Sequence, residues 1–270
     1  MRVLYFGNNR LGWRVASWLR GRGVEFAGLV VHPRSRGRLV DEIIETAGLP
    51  AERVFDGSRV RDREFASGLQ DLRADIGVSV SFGYILPHDV WTAFPAGCVN
   101  LHTGYLPYNR GAYPNVWSIV DRTPAGVTLH YVDDGIDTGD VIAQEPVPVE
   151  PIDTAASLFT RLEDAAARLF EETWPRLEAG TAGRRRQEPG SGSSHRVSDV
   201  ANIDQIDLER RYRARDLLDL LRARSFPPHP GAYFLEGGRR VGLTLQLQYE
   251  EPAGASPEPV RPARPGKESA

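Results

Sequence analysis

The chain has little cysteine and no long apolar run, and both absences narrow its class. Cys98 is the single cysteine among 270 residues, so no internal disulfide can form. It precedes the apolar Val99, which favours a small buried side chain over a nucleophile. No segment reaches the roughly 18 apolar residues of a membrane span, and the apolar run at 3–7 is too short for a signal-peptide core. We therefore expect a cytoplasmic protein that does not enter the membrane.

Strong net charge and several ligand-binding motifs are also missing. The formal net charge is −3, so a nucleic-acid partner would require a local basic patch and is not expected. The loop at 7–12, GNNRLG, matches neither GxGxxG nor GxxxxGK[ST], which weakens the case for a dinucleotide or P-loop site. The acidic loop at 133–140 lacks the spacing and closing glutamate of an EF-hand, so we expect no metal.

What the chain does contain is an alternation of buried strands and amphipathic helices. Hydrophobic residues make up 41% of the chain, enough for one substantial core. Continuous apolar runs predict strands at 2–7, 24–31, 76–80, 99–102, 126–132 and 141–149, and 3.6-residue periodicity predicts helices at 38–47, 61–72 and 153–178. This order favours an α/β fold with a doubly wound, mainly parallel, Rossmann-like sheet.

The segment SFGYILP, at 81–87, follows a predicted strand and is a candidate wall of a ligand site. In open α/β sheets, ligands bind at the carboxyl edge of the strands. Gly83 allows close approach of the backbone, and Tyr84, Ile85 and Leu86 offer an apolar slot. The alternative is a plain strand-to-helix connection that packs Ile85 and Leu86 into the core.

The chemistry is concentrated in the stretch at 98–144. Asn100 and His102 lie two apart in a strand and therefore point to the same side, while Asp137 follows in the acidic loop. An amide donor can stabilise the oxyanion of acyl transfer, and an imidazole beside a carboxylate can accept the proton of an attacking amine. His130, in the next strand, is expected to be a hydrogen-bonded structural residue.

Two runs, NLHTGYLPYNRGAYPNVWSI and GVTLHYVDDGIDTGDVIAQ, resemble the folate-dependent formyltransferase family, which includes methionyl-tRNA formyltransferase, glycinamide ribonucleotide transformylase and the sugar N-formyltransferases. The resemblance implies that Asn100, His102 and Asp137 are catalytic and that N10-formyltetrahydrofolate is the formyl donor. The implied donor-binding residues lie in two loops: Phe82, Gly83, Tyr84, Ile85, Leu86, Asp133, Asp134, Gly135 and Ile136.

The acceptor wall is where the chain departs from the family pattern. Family members commonly have His-Pro-Ser after the catalytic histidine, whereas this chain has His102-Thr103-Gly104. An arginine in the following loop would suit a phosphate or carboxylate on the acceptor. The candidate acceptor-binding residues are Thr103, Tyr105, Asn109, Arg110, Tyr113 and Asn115, although packing of the loop alone could account for them.

The C-terminal part distinguishes between acceptors. We expect a catalytic domain at 1–180, a polar linker at 181–202, a helix and β-hairpin appendix at 203–250 and a disordered tail at 251–270. The helix is predicted at 206–223, and the hairpin turns at Gly237-Gly238. A C-terminal barrel that binds tRNA needs five strands, and the segment at 203–250 is too short to form them beside its predicted helix. It resembles instead the short appendix of sugar N-formyltransferases.

The expected acceptor is therefore a small-molecule amine, with a nucleotide-linked amino sugar as first choice. Formylation of another small amine stays open, and methionyl-tRNA is less favoured. A folate-binding protein without catalysis also stays open, although the intact Asn100, His102 and Asp137 argue against it. The exposed edge of the hairpin is able to pair between subunits, which would give a homodimer.

Overall fold

A central sheet of seven strands organises the protein, in the order β3-β2-β1-β4-β5-β7-β8. The computed structural model describes residues 1–250, so the tail predicted at 251–270 lies outside the described residues. The strands are β1 Arg2–Gly7, β2 Glu25–Val31, β3 Val54–Asp56, β4 Ile76–Val80, β5 Cys98–His102, β6 Arg110–Gly111, β7 Gly126–Tyr131, β8 Val141–Pro146, β9 Ser194–His195, β10 Tyr233–Glu236 and β11 Arg239–Gly242. The helices are α1 Asn9–Gly21, α2 Val40–Ala47, α3 Arg63–Leu72, α4 His88–Trp91, α5 Pro114–Val120, α6 Ala155–Glu178, α7 Ala201–Asp204 and α8 Ala214–Ala223.

The sheet is parallel from β3 to β5 and antiparallel from β5 to β8. Its inner strands are buried on both faces, which explains why they are continuous apolar runs in the sequence. Helix α6 packs on β7 and β8 and buries Phe170 and Trp174 completely. The prediction of a doubly wound, mainly parallel α/β sheet is confirmed. The strand order reverses at β1 and β4, where such sheets open a crevice at their carboxyl edge.

The C-terminal part differs from the sequence prediction in two places. The helix predicted at 206–223 begins only at Ala214, because the Asp207 carboxylate accepts the Glu209 N–H at 3.0 Å and forms a turn instead. The segment predicted as a linker at 181–202 packs on the sheet domain, with β9 paired to β6 and Arg185 bridged to Val141. The predicted hairpin is present as β10 and β11. The division of the chain at residue 180 stays a prediction.

The structure also bears on membrane insertion. Over residues 1–250, none of the helices combines the length and the apolar character that crossing a bilayer requires.

Candidate active site

Strands β5 and β7 bring an amide and two imidazoles together. Asn100 lies opposite His130 in the antiparallel register, and His102 lies opposite Thr128. The His130 Nδ1 atom faces the Tyr131 carbonyl oxygen at 2.8 Å, and since a carbonyl only accepts, Nδ1 carries the proton. His130 Nε2 is then free to accept the Asn100 Nδ2–H at 3.2 Å. His130, expected to be structural, therefore orients the predicted catalytic amide.

Asp137 approaches these groups from the acidic loop after β7. It adopts a left-handed backbone conformation (φ 54°), and its Oδ2 accepts the Gly111 N–H at 2.8 Å. Its Oδ1 lies 3.4 Å from Asn100 Nδ2. The carboxylate oxygens also lie 3.5 Å from His102 Nδ1 and 3.4 Å from His130 Nε2. The structure thus brings Asn100, His102 and Asp137, 37 residues apart at their extremes, into one cluster.

The ring of His102 is held by the loop that follows it. Its Nε2 faces the Asn109 carbonyl oxygen at 3.2 Å, so Nε2 carries the proton and Nδ1, on the Asp137 side, is the basic nitrogen. Gly104 provides the space, because a Cβ atom there would collide with His102 Nε2. Thr128 donates to the Gly104 carbonyl oxygen at 2.7 Å and accepts the Leu106 N–H at 3.1 Å, which fixes the loop.

The protonation states follow from burial and from these neighbours. Burial lowers the pKa of His102 below its ordinary value, and the charge of Asp137 only partly offsets this effect. His102 is therefore a neutral base at pH 7. Burial alone would raise the pKa of Asp137, but the charges that the His102 and His130 rings carry when protonated, together with the Gly111 N–H, hold it well below its usual range. Asp137 is thus ionised.

The cluster has the chemical equipment for acyl transfer to an amine. One Asn100 N–H points to His130, and the other makes only a long 3.4 Å contact to Asp137, so a developing oxyanion can replace that contact. His102 Nδ1 can take the proton of the attacking amine, and the nearby carboxylate stabilises the imidazolium that forms.

The two predicted donor-binding loops are neighbours in the structure. The His88 ring, at the start of α4, hydrogen-bonds the Asp134 carboxylate at 2.8 Å and so joins the loop after β4 to the acidic loop. Ile85 and Ile136 expose 54% and 53% of their surface, whereas Phe82 and Leu86 are buried in the core. Gly83 adopts a positive φ of 75°.

Some of the remaining donor-loop residues are accessible to a ligand, whereas others stabilise the two loops. Tyr84 is half-buried and Gly135 is exposed. The Asp133 carboxylate is occupied within its own loop, where it accepts the Gly135 N–H at 3.0 Å and the Thr138 hydroxyl at 2.6 Å. Phe82, Leu86 and Asp133 therefore shape the two loops, while the exposed isoleucines offer a surface for an apolar ring system.

Two of the predicted acceptor-binding residues serve the loop itself. Asn109 is fully buried, and its amide bonds the hydroxyl groups of Ser118, Thr123 and Ser193. Asn115 is buried at the start of α5 and donates to the Ala155 carbonyl oxygen at 3.0 Å. Every polar atom of the Asn109 side chain is thus hydrogen-bonded within the protein. The role of these two amides at the acceptor site stays a prediction.

The other four predicted acceptor residues keep accessible surface. Thr103, Tyr105 and Arg110 are half-buried, and Tyr113 is exposed. They lie on the loop between β5 and α5, which also supplies Gly111 to Asp137. Their role as acceptor contacts stays a prediction.

Sequence reasoning missed Gln187, which lies within the segment predicted as a polar linker. The residue is buried, with 8% of its surface exposed. It donates to the carbonyl oxygens of Asp137 and Gly139 and accepts from Arg110. A glutamine after three arginines gives no local signal of this role, because its partners lie 48 to 77 residues earlier in the chain.

Comparisons with known proteins place this geometry in a family. The formyl transferase family matches residues 26–173, and the N-formyltransferase dimerization C-terminal domain matches residues 199–249. The methionyl-tRNA formyltransferase of Lachnospira eligens is 34% identical over 187 residues, which cover 67% of this chain. The chain spans 59% of the length of that relative.

Solved structures of related enzymes are similar over most of the chain. A 4-N formyltransferase from Francisella tularensis is 25% identical, with a TM-score of 0.79 over 92% of this chain and 98% of that one. The formyltransferase PseJ from Anoxybacillus kamchatkensis, solved with UDP-4,6-dideoxy-4-formamido-L-AltNAc and tetrahydrofolate, is 27% identical. Its TM-score is 0.55 over 75% of this chain and 89% of that one.

Proposed function

This chain belongs to the formyl transferase family, and we propose that it moves a formyl group from N10-formyltetrahydrofolate to the amine of a nucleotide-linked amino sugar. The observation that carries the proposal is the cluster of Asn100, His102 and Asp137 at the end of β5, with a neutral imidazole beside an ionised carboxylate. Such a pair suits proton removal from an ammonium group at neutral pH.

The proposed reaction assigns one task to each of the three residues. The acceptor nitrogen attacks the formyl carbon, and Asn100 Nδ2–H stabilises the negative charge that develops on the formyl oxygen. His102 Nδ1 takes the proton from the attacking nitrogen and returns it to N10 as the bond between the formyl carbon and N10 breaks. Asp137 stabilises the intermediate imidazolium across 3.5 Å.

The formyl donor fits the surface formed by the two joined loops. The pterin ring is flat and largely apolar on its faces, and the exposed Ile85 and Ile136 supply apolar contact on both loops. Gly83, whose positive φ favours a residue without a Cβ, lets the backbone approach a ring closely. PseJ, which is similar to this chain, was solved with tetrahydrofolate, and this supports the assignment.

The C-terminal part supports a sugar acceptor. Between residues 203 and 250 the described structure consists of α8, the β10–β11 hairpin and connecting segments. Two comparisons also support a sugar acceptor. Residues 199–249 match the N-formyltransferase C-terminal domain, and PseJ was solved with a sugar nucleotide. We propose that the same region forms a homodimer.

The test is product formation with matched variants. The enzyme is incubated with N10-formyltetrahydrofolate and a panel of aminodeoxy sugar nucleotides, and mass spectrometry detects the gain of a formyl group. We expect His102→Gln and Asp137→Asn to lower kcat by about 10²-fold to 10⁴-fold. His229→Gln is the control, since His229 is exposed and contacts Arg38 away from the cluster. Rates near wild type in both site variants would refute the assigned roles.

Methionyl-tRNA is the second candidate acceptor, because a methionyl-tRNA formyltransferase is 34% identical to this chain. The acceptor panel therefore includes methionyl-tRNA and free small amines. Formylation of the tRNA and of no sugar would reverse the preference. Folate binding without turnover of any amine would instead favour a binding protein that has lost catalysis.

A further inference from the structure

The Gln187 amide uses all of its hydrogen-bonding capacity between two functional loops. Nε2 donates to the Asp137 carbonyl oxygen at 2.9 Å and to the Gly139 carbonyl oxygen at 2.8 Å. Oε1 accepts from Arg110 Nη2 at 2.7 Å and from Arg110 Nε at 3.2 Å. The reverse orientation of the amide would set its oxygen against two carbonyl oxygens, so the partners fix the orientation.

The loop that Gln187 holds contains an unfavourable backbone conformation at Asp137. Asp137 has a φ of 54°, a conformation that costs free energy for a residue other than glycine unless neighbouring groups enforce it. At Gly139 a Cβ would collide with the Tyr131 carbonyl oxygen, so the backbone of the loop passes close to the end of β7 there. Two hydrogen bonds from one side chain, of which the bond to Gly139 is buried, fix the backbone that carries the proposed catalytic carboxylate.

The segment after Gln187 holds the same carboxylate from its other side. Arg110 N donates to the Ser193 carbonyl oxygen and Ala112 N to the His195 carbonyl oxygen, both at 2.9 Å. Between them lies Gly111, whose N–H donates to Asp137 Oδ2. Gln187 and residues 191–195, which together we call the clasp, therefore fix both the backbone of Asp137 and the N–H that binds its side chain.

We infer that Gln187 is a positioning residue for formyl transfer. It holds Asp137 at the distance from His102 that the reaction needs, and it connects the Asp137 loop to Arg110 of the acceptor loop. The inference rests on the proposed function for its kinetic readout. Gln187 touches neither reacting group and acts through Asp137. Arg110 also donates to the Ser191 carbonyl oxygen at 3.0 Å, so the clasp anchors both ends of this connection.

Gln187→Glu separates donation from acceptance at this position. A glutamate keeps the acceptor for Arg110 but offers no N–H to the carbonyl oxygens of Asp137 and Gly139, which it repels. We expect kcat to fall about tenfold to a hundredfold, as for a misplacement of a catalytic group by about 1 Å. The KM for the acceptor should change little, since the contact to Arg110 remains. Glu188→Gln, at the exposed neighbouring position, is the control and should match wild type.

Gln187→Met gives a readout that does not depend on turnover. It removes the donors without adding charge, and His102 is titrated by NMR, with His102→Gln used to assign its signal among the six histidines. Because the negative charge of Asp137 raises the pKa of His102, displacement of Asp137 should lower that pKa. The same titration of Glu188→Gln should reproduce wild type.

The two readouts keep the inference and the proposed function apart. An unchanged kcat in Gln187→Glu, or an unchanged His102 titration in Gln187→Met, would overturn the positioning role. A loss of kcat that parallels the loss of thermal stability in both variants, with His102 unshifted, would also overturn it and assign Gln187 to stability alone. If wild type formylates no acceptor, the proposed function fails, and the titration still decides the role of Gln187.

Discussion

Asp137 carries its charge in a place where burial alone would favour the neutral acid. Two imidazoles and one backbone N–H outweigh that effect and keep the carboxylate ionised. For His102, burial lowers the pKa and keeps the ring neutral, although a carboxylate lies 3.5 Å away. At this distance the carboxylate can stabilise the imidazolium that forms when His102 accepts a proton.

The pH dependence of kcat tests this arrangement. The pKa of folded His102 lies below the ordinary 6.5, so we expect kcat to be constant near pH 7 and to fall only at lower pH, with a midpoint under 6.5. The free energy of unfolding should fall in the same direction, because the unfolded chain binds a proton at His102 first. Steady-state kinetics and denaturant titrations between pH 5 and 8 measure both quantities.

The variant Asp137→Asn tests directly how the charge of Asp137 affects the pKa of His102. Removal of the negative charge should lower the pKa of His102 further, and an NMR titration of the ring measures the change. A His102 pKa above 6.5 in wild type, or an upward shift in the variant, would contradict this account.

At the scale of elements, ion pairs fix α8 to the end of α5. Arg122, just after α5, has a φ of 54° and pairs with Asp219 at 2.8 Å and with Asp216. Asp219 is buried and also pairs with Arg222, which donates to the Glu150 carbonyl oxygen at 2.9 Å. The C-terminal helix is thereby connected to the helix that follows the acceptor loop.

Arg122→Met should loosen α8 while leaving the central sheet intact. Loss of both carboxylate contacts removes the link to α5, so amide hydrogens of 214–223 should exchange faster than in wild type. Hydrogen exchange with mass spectrometry measures this effect, and peptides from β1 and β4 serve as the internal reference. Arg34→Met, which breaks an exposed pair with Asp41, is the control. If the amide hydrogens of α8 exchanged at the same rate in both variants, Arg122 would not be the residue that fixes α8 to α5.

For the whole molecule, the β10–β11 hairpin presents apolar side chains that residues 1–250 leave exposed. Leu235 is 49% exposed and Val241 is 38% exposed. Within residues 1–250 the hairpin forms a sheet of two strands, in which β10 also bridges to Gln205, and the outer edge of β11 offers backbone groups that a second copy can meet. This surface lies within the residues that match a dimerization domain.

Leu235→Asp should therefore shift the proposed dimer toward monomer. A charge in an apolar interface costs free energy on association, and light scattering coupled to size exclusion reports the mass relative to the 29.9 kDa chain. Ala51→Asp introduces the same charge at an exposed position before β3 and should leave the mass unchanged. A wild-type protein that elutes as a monomer at all concentrations would rule out the dimer.

Features set by short-range patterns were predictable from the sequence, and those set by distant partners were not. Continuous apolar runs gave the inner strands, and the spacing of two residues placed Asn100 and His102 on one side of β5. The role of His130 depends on its register with Asn100, and the role of Gln187 depends on two loops far back in the chain. The start of α8 was missed because the Asp207 turn competes with helical periodicity.

The position of the clasp in the chain also sets an order for assembly. Gln187 follows Asp137 by 50 residues, so during synthesis the strands and the acidic loop leave the ribosome well before the side chain that fixes them. A nascent chain that ends near residue 180 contains Asn100, His102 and Asp137 but lacks the contacts that hold the carboxylate. We therefore expect the proposed catalytic cluster to be completed late in synthesis, after the strands of the sheet have emerged and as the C-terminal part follows.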